Sequence, residues 1–362
     1  MSVPEGLCNL VKLSVLVALC VQNAAYTLIR KYSVQIEQVD AQTILCVAEA
    51  IKLVFSAVQT VYFAEEASEG NAAVSVGERG LSKMARLAGD SSKMAVLAGI
   101  YAAMNILSFV ALRRIDAVTF TVCAQLKILT TALCALVFLG RPVSPTKWRA
   151  LILLVLASIL VSVPQIDNAR EKDSDLFTQA IGILAVLLEV TLSGAASVYF
   201  EKVVKTKADG MSLWDRNFQL AMWSILLYTL YGFAESAFFA GASSKIAIAH
   251  GVAAPCSSIT CFSPVTWLVA ILSAGGGLLV ALSIKVADSV LKTISLANAI
   301  VLTTLFSHWF LAGPLNLTIG VGSLCSVLGV LNYAFDASPP VQGASAVVEA
   351  EIRPLLPSTS SR

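Results

Sequence analysis

Two residues in the stretch AVTFTVCAQLKILTTALCALVFLG, residues 117–140, could do chemistry where polar chemistry is costly. Gln125 and Lys127 stand near the middle of a run that is otherwise apolar enough to cross a bilayer. An ammonium group at that depth costs about 2.5–3.5 kcal/mol on insertion scales, so something must offset it. Two accounts compete. A carboxylate on another helix could form a structural ion pair with Lys127, and Glu189, at mid-depth in its own apolar run, is the candidate. Alternatively, an anionic ligand in a water-filled cavity could take that place, since intramembrane ionisable groups default to function. Glu189 itself reads either as a protonated or hydrogen-bonded acid or as a proton site.

The other polar residues in apolar runs have plainer readings. Lys285 and Lys292 flank one helix junction. Lys292 is expected to snorkel to the interface, and Lys285 has Asp288 three residues on as a partner. Glu49 and Lys52 share a spacing of three and are expected to pair with each other. No Gly-x-Ser-x-Gly and no His–Glu pair is present, so no set of groups calls for an enzyme. The two histidines, His250 and His308, make no zinc spacing, and neither a metal nor another cofactor is called for. Cysteines 8, 20, 46, 123, 134 and 325 read as small packing residues. Cys256 and Cys261 fall on the expected non-cytoplasmic side, where a disulfide between them is permitted.

These residues need elements to hold them. Of 362 residues, 57% are hydrophobic and 13% charged, with a mean hydropathy of +0.79. Soluble domains carry about 25% charge, so the chain is read as integral to a lipid bilayer. A net charge of +2 and the lack of basic tracts exclude nucleic acid as a partner. Ten runs are long enough to span: 11–29, 42–63, 94–112, 117–139, 148–165, 177–200, 217–239, 264–284, 290–312 and 315–335. With ten spans both termini share a side. That side carries thirteen lysines and arginines against seven on the other, which makes it cytoplasmic.

An internal repeat organises the runs. At an offset of 172 residues Arg113 falls on Lys285, Asp116 on Asp288, Val118 on Val290, Leu139 on Leu311 and Pro142 on Pro314. A basic residue, an acid and a proline agreeing at one offset favour a true repeat over chance likeness of two apolar hairpins. The expected fold is all-α, a polytopic membrane protein of ten transmembrane helices. Residues 1–170 form one five-helix repeat, residues 171–335 a second, and residues 336–362 a disordered cytoplasmic tail. An odd number of helices per repeat inverts the second against the first, as in many secondary transporters, with the site at the midplane. Small residues in LSGAAS and SAGGGLLVALS allow close helix approach.

Five blocks then carry a resemblance. AEAIKL, AQLKILTTAL, VYFEKVVK, WDRNFQL and GGLLVALSIKVADSVLK, in this order, resemble the nucleotide-sugar transporters. This is the branch of the drug/metabolite transporter superfamily that carries UDP-galactose, UDP-N-acetylglucosamine and CMP-sialic acid, and the likeness runs from about residue 10 to 335. The resemblance implies ten helices, an inverted repeat, and exchange of a nucleotide sugar for its nucleoside monophosphate in the Golgi or endoplasmic reticulum. It places Lys127 and Lys285 on the phosphates of the nucleotide. It gives further substrate contacts to Tyr101, Asn105, Ser193, Ser197 and Asn217. A UDP-sugar is favoured over CMP-sialic acid; a drug/metabolite-type carrier for another organic anion is the alternative. A homodimer is left open. The chain departs from the family's habit at Met104, Ile106, Phe120, Ala124, Ser197 and Ser289, and Glu189 has no usual counterpart. In the tail, EIRPLL, residues 351–356, resembles an acidic dileucine sorting signal of endosomal traffic.

Overall fold

The computed structural model describes residues 5–36, 41–66, 76–112, 114–115, 117–163, 176–206, 210–249, 259–311 and 315–335. Cys256 and the dileucine-like stretch lie outside them. The described residues build twelve α-helices and one short 3₁₀ turn, with no strand among them. The order is α1 Glu5–Ile36, α2 Ala41–Glu66, α3 Val76–Gly89, α4 Ser92–Leu112, α5 Ala117–Ala124, α6 Lys127–Leu139, α7 Pro145–Ser162, α8 Leu176–Lys205, α9 Leu213–Ala249, then a 3₁₀ turn at Ile259–Cys261, α10 Pro264–Val286, α11 Ser289–Leu311 and α12 Leu317–Ala334.

Nine segments among the described residues are long and apolar enough to cross a membrane, with α5 and α6 together making one of them. Large apolar side chains such as Val54, Val137, Phe138, Trp309 and Phe310 point outward, as a helix face turned to lipid requires. The run read as a seventh span, 217–239, falls on α9, which has ample length. Asn217 and Gln219 at its start, and the tyrosines further on, make it less apolar than the nine.

Two features were not expected from hydropathy. The connection between α2 and α4 holds α3, a helix with Leu87 buried and Arg86 exposed. The fourth span is interrupted. Gln125, Leu126 and Ile128 each donate to the carbonyl three residues back, at 3.0–3.2 Å, so the chain tightens for one turn between α5 and α6. That interruption carries both residues of the opening stretch. Gln125 is buried, and Lys127 is the first residue of α6.

Helix ends follow local chemistry. Gly140, at φ +62°, closes α6 by donating to the Ala135 carbonyl. Ser144 caps α7 through the Lys147 N–H, with Pro145 in the first turn. Ser212 and Asp215 form a reciprocal box at the start of α9, at 2.8 and 3.1 Å. Asn316 accepts from the Ile319 N–H and caps α12.

The chain divides into two compact units. The first comprises residues 1–24, 103–205 and 282–362. Its core packs Ile128, Leu151, Leu154, Val198, Val290 and Ile294 from α6, α7, α8 and α11. Two close approaches shape it. A Cβ on Gly194 would stand 2.8 Å from the backbone carbon of Thr130, so α8 lies directly on α6. A Cβ on Gly322 would meet Leu160 and Val161 at 2.9 Å, which brings α12 equally close to α7. The second unit comprises residues 25–102 and 206–281, with α2 and α3 packed on α9. There Gln219 of α9 donates to the Leu87 and Asp90 carbonyls at the end of α3, and Lys83 of α3 pairs with Asp215 at 3.3 Å.

Candidate substrate site

One helix, α8, presents a ladder of polar residues. Glu189, Ser193 and Ser197 recur every four positions and so share one side of it. Glu189 and Ser197 meet different partners in the first unit. The Glu189 carboxyl accepts a hydrogen bond from Ser108 of α4 and feels the charge of Lys127. The two form no close ion pair among the described residues. The structural salt bridge weighed as one account of Lys127 is therefore replaced by a looser electrostatic relation. Oε2 of Glu189 is buried with no hydrogen-bond partner among the described residues. Ser193 is partly buried, and Ser197 is buried.

Ser197 accepts from Nζ of Lys292 at 3.1 Å. Lys292 thus does not snorkel to an interface. Ser289 and Val290, at the start of α11, are buried, so this turn of α11 faces α8 rather than lipid or water. The ammonium groups of Lys127 and Lys292 lie near enough for one charge to act on the other. Neither has a carboxylate ion pair among the described residues. Two cations from separate helices, near enough to repel and without a close carboxylate ion pair among the described residues, form a place that favours an anion.

Lys285 lies elsewhere on the junction, in the last turn of α10, partly exposed. It makes neither a hydrogen bond nor an ion pair among the described residues. Asp288, its expected partner, accepts instead from the Leu291 N–H at 2.7 Å and caps α11. Burial, with the nearby Glu201 carboxylate, pushes the Asp288 carboxyl above its ordinary range. Asn105 of α4 is exposed. Tyr101 and Asn217 belong to the second unit. Asn217 is buried and donates to the Leu213 carbonyl of its own helix at 3.0 Å. Tyr101 lies near Glu49 and Tyr228. The expected Glu49–Lys52 pair is present, with both carboxylate oxygens 2.6–2.7 Å from Nζ, and the Lys52 stem runs 3.3 Å from where a Cβ on Gly277 would be.

Sequence reading missed a second polar centre in the first unit. Glu201, fully buried, accepts from Nη1 of Arg141 at 2.7 Å and Nζ of Lys205 at 3.0 Å. Its other oxygen accepts the Ser289 N–H at 2.9 Å. Lys205 also donates to the Ala287 carbonyl. The four-residue spacing of Glu201 and Lys205 on α8 was the available signal; nothing local pointed to Arg141.

A protein-family model described as nucleotide-sugar transporter matches residues 8–334. The chain belongs to the nucleotide-sugar transporter family. It is thus a transporter and not an enzyme. A UDP-N-acetylglucosamine/UDP-N-acetylgalactosamine transporter of Caenorhabditis elegans is 32% identical over 92% of this chain and 97% of its own length. A UDP-galactose transporter of Schizosaccharomyces pombe is 32% identical over 70% of this chain and 67% of its own. A UDP-N-acetylglucosamine transporter of Rattus norvegicus is 33% identical over 69% and 73%. A solved crystal structure matches 91% of this chain and 97% of its own with a TM-score of 0.58 at 12% identity, a likeness of fold alone.

Proposed function

We propose that the protein is an antiporter that carries a cytosolic UDP-sugar into the Golgi or endoplasmic-reticulum lumen in exchange for UMP. The observation that carries this reading is the pairing of Lys127 with Lys292 inside the spans, two cations that form no close carboxylate ion pair among the described residues. A nucleotide diphosphate is a permanent anion, and desolvated ammonium groups give it charge-assisted hydrogen bonds. Ser197, already bonded to Lys292, holds that ammonium in place beneath the phosphates, and Ser193 lies one turn away on the same side of α8. The phosphate-binding pair is accordingly Lys127 with Lys292 rather than with Lys285. The UDP preference rests on the named cargo of the relatives. In this reading α9 is the tenth span, the two five-helix repeats are inverted, and both termini face the cytoplasm.

Full-length protein in liposomes loaded with UMP should take up labelled UDP-N-acetylglucosamine or UDP-galactose, and empty liposomes much less. Equal uptake by both would show a uniporter or channel. A thermal-shift panel of nucleotides ranks the cargo, because ligand binding raises apparent stability by mass action. A panel without any nucleotide response would point to a carrier for another organic anion.

A further inference from the structure

We infer that Glu189 takes up a proton when the phosphates of a nucleotide sugar settle on Lys127, so that substrate binding is coupled to protonation inside the membrane. The inference rests on the proposed Lys127–Lys292 anion site.

The geometry is that of an acid with one oxygen hydrogen-bonded and the other without a partner among the described residues. One side of the Glu189 carboxyl holds the Ser108 hydroxyl, while Oε2 is buried with no donor among the described residues. A carboxylate oxygen in that position is costly unless a cation compensates it. Lys127 of α6 is that cation. The other elements packed around this part of α8 supply little charge. From α11 comes Lys292, beside Lys127. From α4 comes the Ser108 hydroxyl, and from α5 the uncharged Cys123, packed on the apolar cluster of Val186 and Val190. The helix's own neighbours at the preceding and following turns, Ala185, Val186, Leu192 and Ser193, carry no ionisable group.

Without ligand, Lys127 and Lys292 face one carboxylate. A nucleotide sugar brings a diphosphate with one ionised oxygen on each phosphate. The phosphates and Glu189 then compete for Lys127, and the group of like charge disfavours the ionised acid. A proton from bulk water on Oε2 leaves two ammonium groups against two phosphate charges. Only a proton moves; no other bond forms or breaks.

The test uses full-length protein in detergent and UDP-N-acetylglucosamine, whose phosphates do not titrate near neutrality. Calorimetric titration in two buffers of different ionisation enthalpy measures protons taken up per ligand bound. Wild type should take up close to one proton at slightly alkaline pH, with Kd weakening by up to about tenfold per pH unit in that range. Glu189→Gln should take up almost none, bind well at alkaline pH and lose the pH slope. Glu189→Asp, which keeps a carboxyl, should retain the slope and guards against a folding defect in the amide variant. Equal proton uptake in wild type and Glu189→Gln overturns the inference, because the lysines would then be the groups that titrate. If the nucleotide sugar binds neither protein at any pH, the antiporter reading fails and the inference with it.

Discussion

Two acids on α8 meet opposite fates. Glu201 is fully buried with both oxygens in use, held by Arg141, Lys205 and the Ser289 N–H. Glu189, roughly 18 Å away along the same helix, keeps one oxygen without a donor and faces a lysine that forms no close ion pair with it. The same contrast recurs between lysines. Lys52 is neutralised by Glu49 at 2.6 Å, whereas Lys127 feels the charge of Glu189 but forms no close ion pair among the described residues. A buried charge whose hydrogen bonds are complete is committed to holding helices together. One whose partners are incomplete remains available for a ligand or a proton. Membrane depth alone does not tell the two apart; the state of saturation does.

The largest expected effect tests the saturated centre. Glu201→Ala leaves Arg141 and Lys205 without their shared carboxylate, and breaking a buried pair in this way costs about 3–5 kcal/mol. Thermal unfolding in detergent should show a large drop in Tm, whereas Glu189→Gln should leave Tm within a degree or two of wild type. Similar losses in both variants would erase the distinction between the two acids.

Next in size are the lysines of the proposed site. Lys127→Ala and Lys292→Ala each remove a charge-assisted contact worth about 1.5–3 kcal/mol. Affinity for UDP-N-acetylglucosamine should fall by about one to two orders of magnitude while Tm holds. Wild-type uptake by both variants would remove the anion site from this part of the molecule. A structural change of comparable size is Gly194→Ala. Its added methyl would stand 2.8 Å from the Thr130 backbone, a clash costing about 1–3 kcal/mol. Because Gly194 adjoins Ser193 on the face of α8 that meets α6, this variant should lose stability and uptake together, unlike the lysine variants.

The sequence exposed the helices and hid the details that select the site. Hydropathy found each long helix, because apolar runs of bilayer length have little other explanation. It passed over α3, whose mixture of Lys83, Arg86 and Leu87 has no long apolar run. The break at Gln125 carries no proline or glycine to announce it. Lys127 was legible because a charge in an apolar run is conspicuous. Lys292 was misread because it stands near a helix end, where a long side chain usually reaches water; only the packing of α11 on α8 shows it turned inward. Arg141 lies beyond a glycine in a connection, and no local pattern links it to Glu201. One cysteine expectation can be followed part of the way: Cys261 is disulfide-bonded, while Cys256 lies outside the described residues.

The smallest predicted effect is also the sharpest comparison. Resemblance at the level of sequence placed Lys285 on the phosphates, whereas the structure sets Lys292 against Lys127. Both stand within one short junction, so the two assignments differ only by which helix, α10 or α11, supplies the second cation. Lys285 is partly exposed in the last turn of α10 and makes no hydrogen bond or ion pair among the described residues. A cation there interacts with the negative end of its own helix dipole, an effect of only about 0.3–1 kcal/mol. Lys285→Ala should therefore keep Tm near wild type, and exchange of UDP-N-acetylglucosamine for UMP should stay within about twofold, since exposed substitutions usually fall within ±0.5 kcal/mol. Lys292→Ala in the same assay should lose most exchange. The reverse pattern, with Lys285→Ala inactive and Lys292→Ala active, would return the phosphate site to the end of α10 and leave the Lys292–Ser197 bond a structural one.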